Sequence, residues 1–330
     1  MTTHEENARM SLTEAGAACR SVLDEVERAI VGKREALELV LTAIVAGGHV
    51  LIEDFPGLGK TLAARSFAHA LGLDFRRAQF TPDQLPADLT GSYIYDQSRG
   101  EFSFRAGPVF AGFLLADEIN RTPPKTQAAL LEAMQEHQVT VEGRTHALPR
   151  PFHVMATANP VETEGTYPLP EAQLDRFLLR LRFGYPDAAQ EWEIVERRIA
   201  RRADDIEVGR VLDARAVLAV QQAAEDVYVH PAVGRYAVEV TAATRSDSAV
   251  LVGASPRGSL ALVTCARARA LIDGRGFVSP DDIKALASAA LAHRITIRPE
   301  LWLSGRSGEQ VVGAALERVP VPVEYRPDRA

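Results

Sequence analysis

The chain has 330 residues, of which 46% are apolar and 25% charged, and it carries a formal net charge of −7 with a pI near 5.7. This composition excludes collagen-like and low-complexity chains. The surplus of carboxylates weighs against non-specific nucleic-acid binding, which needs surplus cations.

Length predicts two domains. Residues 1–10 are polar and mixed in charge, which predicts a disordered N-terminus and no secretory signal. Helical periods follow over Ser11–Ala29 and Lys33–Ala46, with Ile30-Val31-Gly32 between them. The most apolar stretch, Leu39–Ile52, is broken by Gly47-Gly48-His49 and is too short to span a bilayer. A cytoplasmic protein without stable membrane insertion is therefore expected. Five apolar runs of strand length come next: His49–Asp54, Phe75–Phe80, Gly112–Asp117, Phe152–Thr157 and Phe177–Phe183. Helical segments Thr61–Leu71 and Pro123–Glu136 lie among them, the second started by Thr122 as N-cap with Pro123 in the first turn. Strands alternating with helices predict a doubly wound parallel sheet. Two inserts, Ser92–Arg105 and Gln138–Leu148, read as β-hairpins.

After Gly184-Tyr185-Pro186 helical periods dominate. No strand of core length follows, apart from the C-terminal tail and the short Phe277-Val278. Ser255-Pro256 and Ser279-Pro280 are helix starts, with Val278 and Ile283 as a hydrophobic staple for the second and Gly274 as the stop for the first. The expected organisation is a disordered segment 1–10, an α/β nucleotide-binding domain 11–186 and an all-α domain 187–330. Cys19 and Cys265 stand far apart and the eight histidines show no metal-ligand spacing, so neither a disulfide framework nor a structural metal is expected.

The chemistry concentrates at residues 49–61, His-Val-Leu-Ile-Glu-Asp-Phe-Pro-Gly-Leu-Gly-Lys-Thr. A strand enters a Gly-rich turn and a helix leaves it. Gly57 and Gly59 let the backbone approach phosphate oxygens, and the helix start presents free N–H groups and its positive dipole end. Lys60 can reach the β- and γ-phosphates and Thr61 can hold Mg²⁺. Lys60 is one of only four lysines, with Lys33, Lys125 and Lys284. The pattern G-x-x-x-x-G-K-[ST] has glycine where this chain has Asp54, a residue that can close its own turn at a strand end.

A second element, Gly112-Phe-Leu-Leu-Ala-Asp117-Glu118, is a buried-strand run ending in two carboxylates. Asp117 would bind Mg²⁺ through water and Glu118 would polarise the attacking water; the other reading is a core strand with an acidic cap. Asn159, at the end of the next strand, could orient that water or be an ordinary Asn-Pro turn. Arg176 precedes the last core strand and reads locally as a solvated arginine. Arg257 sits in the first turn of a helix, an unfavourable place for a cation unless an anion lies near. A triphosphate is one such anion. The alternative is an exposed arginine tolerated at small cost. Arg197-Arg198 and Arg201-Arg202 are surrounded by Glu191, Glu193, Glu196, Asp204 and Asp205, and read as a solvated helix face.

The chain resembles the AAA+ ATPases, and within them the MoxR family, over nearly its whole length. The resemblance rests on Gly-Lys-Thr at 59–61, Phe-Leu-Leu-Ala-Asp-Glu-Ile-Asn-Arg at 113–121 and Pro-Pro-Lys-Thr-Gln-Ala-Ala-Leu-Leu-Glu-Ala-Met at 123–134. Ala-Thr-Ala-Asn-Pro at 156–160, Leu-Pro-Glu-Ala-Gln-Leu-Asp-Arg-Phe at 169–177 and Gly-Ala-Ser-Pro-Arg-Gly-Ser-Leu-Ala-Leu at 253–262 complete it. Phe80-Thr81-Pro82-Asp83 and Gly107-Pro108 add to it. The resemblance implies an AAA+ P-loop fold, with a doubly wound parallel five-stranded sheet, two hairpin inserts and a smaller all-α lid. It implies that Pro56, Gly57, Leu58, Gly59, Lys60, Thr61 and Leu62 bind the phosphates of ATP, that Thr61 and Asp117 hold Mg²⁺, and that Val31-Gly32 lines adenine. Glu118 would be the catalytic base, Asn159 the sensor-1 residue, Arg176 the arginine finger reaching a neighbouring subunit's nucleotide, and Arg257 the sensor-2 residue of the lid. It further implies a homo-oligomeric ring, usually a hexamer. Such a ring would remodel or mature client proteins, often with a von Willebrand factor A domain partner or in metal-cofactor insertion.

Two other readings share the core: a nucleic-acid motor of the same superclass and a nucleotide-dependent scaffold with negligible turnover. A small-molecule P-loop kinase fits less well, since neither a finger donated in trans nor a large helical lid need accompany that chemistry.

Overall fold

The computed structural model describes residues 9–160 and 165–323, with the side chains of 302–304 left out. Residues 1–8 of the segment expected to be disordered, and residues 324–330 of the tail, lie outside the described residues.

Helix α1 (Leu12–Glu27) opens on a capping box in which Ser11 and Glu14 satisfy each other's backbone amides. It is followed by α2 (Arg34–Val45), β1 (Val50–Glu53), α3 (Lys60–Ala70), β2 (Phe75–Gln79) and α4 (Pro86–Thr90). The hairpin β3 (Gly91–Asp96) and β4 (Glu101–Ala106) comes next, then β5 (Phe113–Asp117) and α5 (Pro124–Glu136). A second hairpin, β6 (Gln138–Val141) and β7 (Arg144–Ala147), precedes β8 (His153–Ala158), α6 (Glu171–Leu174) and β9 (Leu179–Leu181). Strands β2-β5-β8-β1-β9 form one parallel five-stranded sheet. Every residue of β5 and β8 is buried, as their near-continuous apolar runs require for central parallel strands. Edge strand β2 is mostly exposed instead, with Arg77 and Gln79 on either side of buried Ala78. Helix α5 begins one residue later than expected: Pro123 is its N-cap, no side chain caps it, and Thr122 is buried before it.

Beyond β9 come α7 (Ala188–Arg201), α8 (Ala214–Glu225), α9 (Pro231–Ala243), β10 (Val250–Val252), α10 (Pro256–Ile272), α11 (Pro280–Leu291), β11 (Thr296–Ile297) and α12 (Gly308–Arg318). Two strand expectations change here. β10 and β11 pair antiparallel within the otherwise helical part, because Val250 and Ile297 bury together with Val311. Phe277 makes only a single bridge to Tyr228. Val278 and Ile283 are both buried at the start of α11.

The two N-terminal helices join the parts. α2 is buried along most of its length because β9 packs on it from one side and α8 and α10 from the other. One apolar cluster runs from α1, α2 and α3 through the sheet into α8–α11. A Cβ at Gly16 of α1 would stand 2.6 Å from the Leu271 carbonyl oxygen, so glycine is what lets α1 lie against the end of α10. Each large aliphatic side chain in this cluster contributes about 1.5–3 kcal/mol by leaving water.

Candidate active site

The turn between β1 and α3 is built by two left-handed glycines, Gly57 at φ 84° and Gly59 at φ 83°. A side chain at either would be strained in that region even with open space around it. Gly59 is the N-cap of α3, and no side chain caps the helix, so its first amides are left to an outside acceptor. Lys60 is half-buried and donates to the carbonyls of Asp54 at 2.7 Å and Phe55 at 3.0 Å. Burial lowers its pKa, opposed by the carboxylates of Asp54, Asp117 and Glu118.

Register brings a second group to the same place. Gln79 lies opposite Asp117, and Ala116 opposite Ala156, so the C-terminal ends of β2, β5 and β8 end side by side. This is where open α/β sheets bind ligands. The Thr157 hydroxyl donates to Asp117 Oδ1 at 2.6 Å and accepts the Glu118 amide at 2.8 Å. Arg77 donates to Asp117 Oδ2 from Nη2 at 2.7 Å and from Nε at 3.1 Å, and its Nη2 also donates to Gln79 Oε1 at 2.6 Å. The Gln79 amide in turn donates to Glu118 Oε2 at 2.7 Å, and Arg121 pairs with the same oxygen at 3.1 Å. Glu118 has left-handed backbone, φ 60° and ψ 47°, a costly conformation for a residue other than glycine and one that turns its side chain off the strand line. Asn120 Nδ2 donates to the Asn159 carbonyl at 3.1 Å, and Gln127 of α5 donates to the carbonyls of Ile119, Thr122 and Tyr167.

These two groups line one cavity of about 420 Å³, formed by Pro56, Gly57, Gly59, Lys60, Thr61 and Leu62 on one side and Arg77, Gln79, Asp117, Glu118, Thr157 and Asn159 on the other. Uncapped helix amides, an ammonium, a hydroxyl and two carboxylates around one space suit a polyanion carrying a divalent cation. Larger cavities of about 970 and 630 Å³ lie around Arg28, Ile206 and Glu207, and neither includes the glycine turn or the paired carboxylates.

Other expected residues stand outside this lining. Leu58 is the one member of the loop that does not face the cavity. Val31 is buried and Gly32, at φ 68°, packs so closely on Gln190 of α7 that a Cβ would meet its side chain at 2.3 Å. Arg176 follows α6 and its amide donates to Gln173. Arg257, in the first turn of α10, pairs with Asp175 at 3.5 Å. The anion expected near that cation is thus a carboxylate of the same chain, adjacent to Arg176. Arg294, almost fully buried, binds the other oxygen of Asp175 and donates to the Phe177 carbonyl at 2.9 Å. Arg197 pairs with Glu193 and Arg198 with Asp204, so these two of the clustered arginines are neutralised locally.

Sequence reasoning missed Arg77, Gln79 and Thr157. The first two read as the polar positions of a strand, and only pairing with β5 places them; Thr157 reads as one more residue of a buried run.

Comparison with known proteins agrees with this architecture. Residues 49–179 match the family model described as ATPase family associated with various cellular activities (AAA), and residues 242–314 match that of the AAA lid domain. The chain is 47% identical to protein YeaC of Bacillus subtilis (strain 168), over 92% of this chain and 94% of that one. It is 44% identical to Chaperone MoxR1 of Mycobacterium tuberculosis, over 90% and 81% respectively. A crystal structure of a protein from Cytophaga hutchinsonii superposes with a TM-score of 0.87 at 40% identity, covering 93% of this chain and 96% of the other.

Proposed function

The chain belongs to the MoxR family of AAA+ ATPases, and we propose that it binds Mg·ATP in the cavity of Lys60 and hydrolyses it at the interfaces of a homo-oligomeric ring to remodel or mature client proteins. The observation that carries this reading is the convergence of the uncapped start of α3 with the ends of β2, β5 and β8 on one cavity.

The amides of α3 and of the glycine turn hold phosphate oxygens, and Lys60 leaves the Asp54 and Phe55 carbonyls for the terminal phosphates. Thr61 and Asp117 hold Mg²⁺, which when bound neutralises charge developing on the phosphoryl group. Glu118 takes a proton from the attacking water. Gln79 and Arg121 hold its carboxylate by hydrogen bond and charge. Asn159 orients the water from the end of β8. Arg257 reports the nucleotide from the helical lid, Val31 and Gly32 border the base, and Arg176 completes the site of the next subunit. The ring is hexameric, the two hairpins engage the client, and the relative named a chaperone supports client work of this kind. A partner with a von Willebrand factor A domain, and insertion of a metal cofactor into the client, fit the same reading, in a cytoplasmic setting.

The test pairs two substitutions. Lys60→Ala is expected to abolish ATP binding, whereas Glu118→Gln is expected to keep binding and lose about 10²–10⁴-fold in turnover. Hydrolysis by Glu118→Gln at the unsubstituted rate would remove Glu118 as base. Turnover stimulated by DNA or RNA, with affinity that weakens steeply as salt rises, would move the reading to a nucleic-acid motor.

A further inference from the structure

We propose that Arg77 is the resident counter-ion of Asp117, that a divalent cation displaces it on binding, and that Arg77 thereby sets the metal requirement of nucleotide binding. This rests on the reading that Asp117 carries the metal.

Both oxygens of Asp117 are already engaged. Oδ1 accepts from Thr157, and Oδ2 accepts both the Nε and the Nη2 of Arg77. The carboxylate is buried, so its charge needs a partner when no metal is present. Arg77 supplies one in a planar fork suited to a carboxylate. A dication, or the water it polarises, must take lone pairs on the same carboxylate. The acceptor site left open is on Oδ1, and a dication held there stands within a few ångströms of the guanidinium and is repelled by it. That repulsion favours withdrawal of one of the two cations.

Arg77 is built to be the one that does. Its side chain is about half exposed, at 48%, while that of Asp117 is 12% exposed. It stands on β2, so among the described residues no further strand lies beyond it in the sheet. It also lines the cavity, so a released guanidinium finds phosphate oxygens within the same space. The withdrawal has a consequence for Glu118. The Nη2 of Arg77 also holds Gln79 Oε1, and the amide of that same Gln79 holds Glu118. When Arg77 leaves, Gln79 loses the contact that fixes its amide, and the grip on Glu118 loosens as the metal arrives.

The experiment is a Mg²⁺ titration of fluorescent ADP binding, with no turnover involved. Asp117→Asn is run first: loss of the Mg²⁺ dependence shows that Asp117 carries the metal, and an unaltered dependence would sink that reading before Arg77 is considered. Arg77→Gln is then expected to lower the half-saturating Mg²⁺ concentration by roughly two- to fivefold, the range of a partly exposed ion pair. Arg77→Lys keeps the charge, loses the fork and is expected to give a smaller fall, which keeps the proposal testable if the glutamine variant folds poorly. A Mg²⁺ requirement that is unchanged or higher in the folded variants overturns it.

Discussion

The carboxylate of Asp54 accepts the backbone amide of Gly184 at 2.7 Å, and the same oxygen accepts that of Phe183 at 2.7 Å. Its other oxygen closes the turn on the Phe55 amide at 2.9 Å. Asp54 is buried, and its backbone is not among the left-handed positions of the loop. The position that departs from the glycine pattern therefore does not need glycine. It ties the phosphate loop to the segment that leads from β9 into α7.

Asp54→Gly restores the glycine pattern and is nevertheless expected to destabilise the protein, as is Asp54→Ala. Either leaves the amides of Phe183 and Gly184 without their acceptor, at about 1–3 kcal/mol for the buried Phe183 amide and less for the half-buried Gly184. Chemical denaturation of the two variants beside the unsubstituted chain checks this. A glycine variant as stable as the parent would show that the carboxylate is dispensable.

Thr157 links the Asp117 carboxylate to the Glu118 backbone, giving its hydrogen to Asp117 and taking one from the Glu118 amide. Thr157→Val keeps the shape and removes both bonds. Turnover is expected to fall about tenfold, the worth of one such hydrogen bond to a charged group, while ATP affinity changes little. Thr157→Ser is expected to recover most of the loss. Steady-state ATPase rates measured beside equilibrium binding separate these outcomes, and a valine variant of full activity would remove Thr157 from the machinery.

Three buried histidines set a pH limit. Burial pushes the pKa of His49 down to about 3, that of His153 to about 4 and that of His293 to about 3. The His49 ring accepts the Val154 amide on Nδ1 and donates from Nε2 to the Met134 carbonyl, so a second proton would break the first bond. All three values lie below the unfolded value near 6.5. Stability is therefore complete above that pH and falls below it, because the unfolded chain takes up the protons first. The slope is roughly 1.4 kcal/mol per pH unit for each histidine. Thermal unfolding followed from pH 7.5 to 5 is expected to show this decline, less steep by about a third in His153→Asn. A flat profile below pH 6.5 would show that these rings titrate normally.

How much of this was legible depends on how each residue earns its place. The central strands announced themselves because β5 and β8 are buried on both faces and must be apolar throughout. The glycine turn was legible because only glycine takes φ near 84° at low cost. The ribbon of β10 and β11 was not, since three residues paired with two leave no periodicity to read. Arg77 and Gln79 were hidden for another reason. A polar position on an edge strand looks the same whether it meets water or a neighbour's carboxylate. The burial of α2 between β9, α8 and α10 depends on residues far apart in sequence, which no local pattern carries.

Arg176 does not line the cavity of its own chain. It lies between Asp175, held by buried Arg294 and by Arg257, and the start of β9. Its place beside a carboxylate clamped by two lid arginines suits a side chain presented outward to a neighbouring subunit. A guanidinium donated in trans contributes about 10³–10⁵ in rate and is absent from an isolated monomer. Activity per subunit is therefore expected to rise with protein concentration as rings assemble. Arg176→Ala is expected to bind ATP almost normally and to turn over slowly. Mixing Arg176→Ala with Glu118→Gln is expected to restore part of the activity, because some interfaces then pair an intact base with an intact finger. An ATPase dilution series with the mixed sample alongside decides it. Activity per subunit that stays flat on dilution, with no recovery on mixing, would show that the site is complete within one chain.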